Sequence, residues 1–405
     1  MKGRCQLAIS SVETQSPPSS QASWALENDI ITISSQAAGT IALALAEVSA
    51  MAFDGATLAL GVKGRRMFLS KLGADGPTLN EMLARQWPIL RAGALRLQGK
   101  GEPRSCQCHC SKSGAPPFPG RAIIYDDLML FHLEGGDVEP LFFPLMKETS
   151  FDEASFSVTV NGWQGESFNF SKLGPKTAEF FGNVAAARET LAREALGFIK
   201  TCLPSLDAFD QMSLSAEWLP GRLLSLEKLG SLAPGVPGAI EALVSLLPRK
   251  KEWAAIRSGR QEAELFLALA HSSEAAGESE EEAGGIEAAP EDERAEKTAP
   301  PALPATLWGA ARIGERLVLE SLSEGDRATY VFSGAEECLP MLSMLLCAPQ
   351  FSREALYMPL GKLVGERAQL ATAARELKFL ASLRQRLSAR VIHRSFGTWS
   401  KTLGL

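Results

Sequence analysis

Histidine is scarce in this chain, with four among 405 residues, and none of the four falls in a metalloprotease pattern. Other catalytic signatures are missing as well. There is no Gly-x-Ser-x-Gly nucleophile elbow and no Gly-x-Gly-x-x-Gly dinucleotide fingerprint. The nearest approach to a phosphate loop, "GALRLQGK" at 93–100, has Gln98 where that loop needs glycine and Gly101 where it needs a hydroxyl, so a P-loop is excluded. No uninterrupted apolar run approaches the roughly 18 residues of a membrane helix, and the most apolar region, 40–62, carries Glu47 and Asp54 and reads as strands. Lys2 and Arg4 are followed by Ser10, Ser11, Glu13 and Thr14 rather than by an apolar stretch, so no secretory leader is expected and the cytoplasm is the expected compartment. Seven scattered cysteines, an odd number, do not suggest a disulfide framework; reduced thiols are expected.

What the chain does have is a duplication. Trp24 to Val62 aligns without a gap on Ala122 to Val160, pairing Asp29 with Asp127, Leu43 with Leu141 and Phe53-Asp54 with Phe151-Asp152. Leu58, Leu60 and Val62 alternate with small or polar residues, and Phe156, Val158 and Val160 alternate in the same phase, the signature of a half-buried strand. A three-residue insertion in "NGWQGES" then brings Met67, Leu69 and Leu72 onto Phe168, Phe170 and Leu173, and both copies end in Ser-Lys-Leu-Gly. That tetrapeptide is expected to leave the last strand, its Leu closing the core and its Gly permitting the turn into a helix. Lys71 and Lys172 within it are expected to be solvated strand-edge residues. The closing helices are predicted from Thr78-Leu79-Asn80-Glu81, a capping box, to about Leu90, and from Pro175 through Arg188 towards Ile199.

A meander of short strands closed by one C-terminal helix, repeated in tandem over about Ser23 to Leu203, resembles the pleckstrin-homology-like superfold. The resemblance implies a platform for peptides, proteins or lipids. A phosphoinositide-binding member would carry basic residues at its first hairpin, where this chain has Asn28-Asp29 and Asp126-Asp127 instead. The fold expected is therefore α+β: a disordered lead-in at 1–22, a first repeat at 23–97, a cysteine-containing linker at 98–120, a second repeat at 121–204, a helical segment at 205–270, an acidic linker at 271–305 and a C-terminal α+β domain at 306–405. The acidic linker dominates the charge. Ten acidic and two basic residues lie in 272–297, so the net charge of −6 becomes +2 for the remainder. Tandem units of this kind with an acidic segment are similar to certain histone-chaperone subunits.

Two sets of residues are candidate sites. Cys106, Cys108, His109 and Cys110 in "RSCQCHCSKSG" are zinc-type donors, but four donors within five residues do not close a tetrahedron, and a complete site needs a further ligand such as His132 or one from another subunit. A Cys-His nucleophile there lacks an orienting acid. The second set is basic: Lys63, Arg65 and Arg66 in a turn, Arg249, Lys250 and Lys251 near Trp253, and Arg384, Arg386 and Arg390 on an apolar-striped helix predicted from about Gly365, with Leu370, Leu377, Leu380, Leu383 and Leu387. These would serve an anionic membrane or nucleic acid. The expectation that best fits the whole is a non-enzymatic protein-binding scaffold without a cofactor, its partner laid against a sheet edge or beside a closing helix.

Overall fold

The computed structural model describes residues 1–11, 19–133, 137–258, 263–271, 305–323, 328–392 and 395–403. The chain is α+β and divides into two units, Met1–Glu189 with Leu360–Leu377, and Thr190–Pro359 with Lys378–Leu405.

The first unit holds the sheets of both copies. Copy 1 comprises β1 (Lys2–Ser11), β2 (Ser20–Glu27), β3 (Ile30–Ser35), β4 (Gly39–Ala44), β5 (Val48–Phe53), β6 (Thr57–Val62) and β7 (Arg65–Ser70), closed by helix α1 (Asp75–Ala94). Its strands form one antiparallel sheet in the order β4-β3-β2-β1-β7-β6-β5. Copy 2 repeats the plan with β8 (Arg104–Lys112), β9 (Phe118–Ile124), β10 (Leu128–Leu133), β11 (Val138–Phe142), β12 (Met146–Asp152), β13 (Ser157–Gly162) and β14 (Ser167–Ser171), followed by α2 (Thr177–Cys202). Its order is β11-β10-β9-β8-β14-β13-β12.

Two segments expected to be irregular thus become the middle strand of each sheet. Residues 2–11 of the expected lead-in form β1, paired with β2 on one side and β7 on the other, with Cys5 and Leu7 turned into the core. Residues 12–18 lie outside the described part. Likewise the expected linker supplies β8 and the first residues of β9, because Cys106, Cys108 and Cys110 alternate as small apolar residues against Ser105, Gln107 and His109.

Register also corrects the alignment of the copies. Phe53 pairs with Leu58, whereas Phe151 pairs with Val158, so the turn is two residues longer in copy 2 and only one extra residue remains for the next turn. Leu58 and Leu60 therefore correspond to Val158 and Val160, and each pair faces its core. Phe156, expected on the buried face of a strand, sits in that turn with φ 48° and is 60% exposed. The Ser-Lys-Leu-Gly exits match: Leu72 and Leu173 are buried, and in both copies the Lys as well as the Gly is left-handed (Lys71 φ 55°, Gly73 φ 61°; Lys172 φ 56°, Gly174 φ 60°). Helix α1 starts at Asp75, ahead of the expected capping box, with no side-chain cap.

In the second unit, α3 (Ala208–Glu217), β15 (Leu224–Ser225), α4 (Leu226–Leu232), α5 (Val236–Ser245), α6 (Lys250–Ser258) and β16 (Glu264–His271) precede β17 (Ala305–Ile313), β18 (Arg316–Ser321) and β19 (Ala328–Ser333). Then come α7 (Ala335–Cys347) and α8 (Glu354–Tyr357). Helix α9 (Ala368–Glu376) belongs to the first unit, and α10 (Lys378–Arg386), β20 (Leu387–Ile392) and α11 (Phe396–Leu403) complete the second. The sheet runs β15-β16-β17-β18-β19-β20, all antiparallel. Because β16 pairs with β17 from Glu264–Arg312 to His271–Ala305, the expected helical segment and C-terminal domain share one sheet. The acidic linker connects these two neighbouring strands, and its residues 272–304 lie outside the described residues. The single long helix expected from Gly365 is also replaced: Leu377 is extended (ψ 109°) between α9 and α10, and Leu387 enters β20 opposite Phe332. On one face of β19, Trp399 of α11 donates from Nε1 to Thr329 Oγ1 at 2.7 Å; on the other, Tyr330 packs on Tyr357 of α8.

Candidate functional site

Period-two geometry decides the fate of the cysteine cluster. Cys106, Cys108 and Cys110 point to the interior side of β8, with Cys108 and Cys110 buried and Cys106 half-buried, while His109 points the other way. The four expected zinc donors therefore do not converge. His132 does not complete them either: it pairs with Arg121, which pairs with Gln107, so its ring lies on the His109 side of the sheet. Among the described residues, no group of three or more His, Cys, Asp or Glu side chains is placed to hold a metal ion. All seven cysteines are free.

The thiols nevertheless differ sharply. Cys106 is held below the ordinary thiol range, chiefly by a hydrogen bond from Cys108, with the Lys176 and Arg121 cations outweighing part of the burial cost. Cys108 is pushed far up by the same hydrogen bond and by burial. Burial, reinforced by Glu139, raises Cys110 to about 12.

The opposite side of this sheet is covered by the closing helix of copy 1. Trp87 of α1 donates from its indole Nε1 to Val48 O of β5 at 2.8 Å and meets the His132 ring edge-on at 5.7 Å between centroids. Arg91, one turn on and 2% exposed, pairs with Glu376 of α9 and donates to Ala46 O at 3.4 Å. The His132 nitrogens have no hydrogen-bond partner, and desolvation together with the Arg91 and Arg121 charges lowers its pKa to about 3.

Sheet edges form the third feature. Among the described residues β4 pairs with β3 alone and β5 with β6 alone, so each leaves one row of backbone groups outward. Neither strand, GTIALA or VSAMAF, has a charge or a proline. In copy 2 the same edges carry Glu139 and Pro140 on β11 and Lys147, Glu148 and Asp152 on β12, the residues that usually protect an edge. Helix α1 runs beside β5, from Gly76 against Phe53 at one end to Trp87 on Val48 at the other.

The expected basic set is dispersed between the two units, and much of it is engaged. Lys63 pairs with Glu47 at 3.2 Å, while Arg65, Arg66, Lys250 and Lys251 are exposed. Arg249 is largely buried between Glu252 (3.3 Å) and Glu320 (3.7 Å). Arg384 donates to the carbonyls of Ala355 and Met358, Arg386 lies 3.9 Å from Glu337, and Arg390 stacks on Tyr357 at 3.8 Å. These arginines fix α8 and the sheet, a role that helical periodicity does not reveal.

No family model and no curated protein matches the chain. Among solved structures, it is similar to the C-terminal domain of an unknown protein from Leishmania infantum, at 10% identity and a TM-score of 0.21, over 27% of this chain and 97% of that one. A likeness that weak carries no argument about fold or function. Among the described residues, no helix is long and apolar enough to cross a membrane.

Proposed function

We propose that this protein is a non-enzymatic scaffold whose first pleckstrin-homology-like copy receives an extended segment of a partner protein, in a reduced, cytoplasmic setting. The observation that carries the reading is the uncharged edge strand β5 lying beside α1. An extended segment would satisfy the outward backbone groups of β5 by strand addition, and α1 would supply the second wall of the groove. Copy 2, whose edges bear charges and a proline, acts as the supporting half of the unit. An anionic membrane or nucleic acid is less well served, because Arg249, Arg384 and Arg390 already have partners within the fold.

The test is affinity capture of the full-length chain from its own cells at physiological salt, with two matched variants. Ala52→Lys places a charge on the edge of β5, and Ser150→Lys places one at the corresponding position of β12. A stoichiometric partner lost with Ala52→Lys and retained with Ser150→Lys is the expected result. Retention of that partner by both variants would remove the β5 edge from the binding surface.

A further inference from the structure

Strand β4, the other uncharged edge of copy 1, has outward groups that match their own mirror order. Leu45, just past β4, donates its N–H to Asp29 O at 2.8 Å and so extends the β3–β4 register by one pair. Successive residues of an antiparallel strand turn their N–H and C=O to alternate sides. Gly39, Ile41 and Leu43 therefore bond towards β3, and Thr40, Ala42 and Ala44 turn theirs outward. Copy 2 has the same parity, since Phe143 donates to Asp127 O at 3.2 Å. There the place of Ala42 is taken by Pro140, which stands opposite Leu130 as Ala42 stands opposite Thr32. Copy 2 thus has no N–H to offer at the middle of its edge, and copy 1 has one.

We propose that β4 pairs with β4 of a second copy of this chain, antiparallel about a two-fold axis at Ala42, so that two sheets become one. Ala42 then faces Ala42 of the second copy, and Thr40 faces Ala44. Every outward N–H of one β4 meets an outward carbonyl of the other. On the core side Ile41, partly buried at the rim of the copy 1 core, meets Leu43 of the second copy, the close kind of cross-strand pair. On the other face only Thr40, Ala42 and Ala44 come together, and none is bulky enough to hold the strands apart. Charge singles out a second copy over a foreign strand. A foreign strand can offset a charge on the edge with its opposite, whereas a two-fold brings each charge near its own like, and 30–46 holds no charged residue at all. The contact closes at two chains and consumes the edge, and β5 at the far end of the sheet stays free.

The experiment is sedimentation of the full-length chain over a range of concentrations, with Ala42→Pro as the decisive variant. Ala42 gives no N–H to β3 and copy 2 already accepts proline at this place, so the substitution spares the fold. A reversible dimer is expected for the parent, and Ala42→Pro should raise its dissociation constant by about 30-fold or more through loss of both hydrogen bonds at the axis. Unchanged far-UV circular dichroism and urea midpoint show that the variant is folded. Cysteine substitution reads the register. Under mild oxidation Ala42→Cys should cross-link two chains above the parent's background, and Thr40→Cys should not, because it lies about 13 Å from its own counterpart across the axis. A parent chain that stays monomeric at the highest concentration attainable, a folded Ala42→Pro that dimerises as the parent does, or cross-linking of Thr40→Cys as ready as that of Ala42→Cys would each overturn the pairing.

Discussion

Copies 1 and 2 share strand order, closing helix and exit turn, yet they solve the problem of their outer surfaces in opposite ways. At the position where copy 1 has Ser34, half-buried and hydrogen-bonded to Thr40 at 3.1 Å, copy 2 has His132, buried beneath α1. Copy 1 leaves its edges β4 and β5 uncharged, and copy 2 protects β11 and β12. The difference teaches that α1 belongs to both copies. It seals the interior of the first and roofs the outer face of the second, so the duplicated fold works as one asymmetric body whose uncharged edges, β4 and β5, both lie in copy 1.

The largest effect expected from breaking that arrangement comes from Trp87→Ala. The substitution removes a buried indole, its hydrogen bond to Val48 and its contact with His132, which should cost about 3–5 kcal/mol. Urea denaturation gives the magnitude, and hydrogen exchange gives the location. Protection should fall in β5 and in β10 together. A loss confined to β5 would show that copy 2 stands without the helix and that the two copies are independent.

How much of this was legible in the sequence follows from the same residues. The repeat, its strand phase and its closing helices are visible because apolar residues recur in step in the two copies, Met67, Leu69 and Leu72 against Phe168, Phe170 and Leu173. The middle strands are not. Pro17, Pro18 and the serines around them give residues 1–22 the composition of an irregular segment, which masks the short alternation of Cys5, Leu7 and Ile9; in β8 the buried positions are cysteines, which read as ligands rather than as small apolar side chains. The role of α1 left no local trace, because Trp87 and Arg91 satisfy any helical pattern and only tertiary contact reveals which sheet each touches. The partners of Arg249 and Arg384 are hidden from the sequence for the same reason. A cation drawn into a fold by buried carboxylates or carbonyls has the same letter as one left in water.

The second test of the asymmetry is pH. His132 is neutral in the folded protein down to about pH 3 but ionises near 6.5 once exposed, so between these values the unfolded chain binds the additional proton. Its contribution to stability is complete above pH 6.5 and is lost as pH falls towards 3, by up to about 1.4 kcal/mol per pH unit. The charged groups facing it, Arg91 and Arg121, both oppose its protonation, and Glu376 is paired with Arg91 rather than with the imidazole. His132→Phe, measured by urea denaturation from pH 7 to 4, should flatten that slope by about one proton. An unchanged slope would mean that the ring is hydrated and that α1 does not seal the face of copy 2.

The smallest expected effect concerns the outward face of α1. Glu81 and Arg85 form an i, i+4 pair at 2.6 Å, with side chains 66% and 71% exposed, a geometry worth about 0.3–0.5 kcal/mol. Glu81→Ala should cost that much at low salt, towards the upper end because Arg85 then faces Arg121 without a neutralising partner. Most of the cost should vanish at high salt, since exposed charges are screened. Urea denaturation at two ionic strengths measures both quantities. A cost several times larger and indifferent to salt would show that α1 presents no solvated face, and the sharing of one helix between two sheets would then be only part of what holds it.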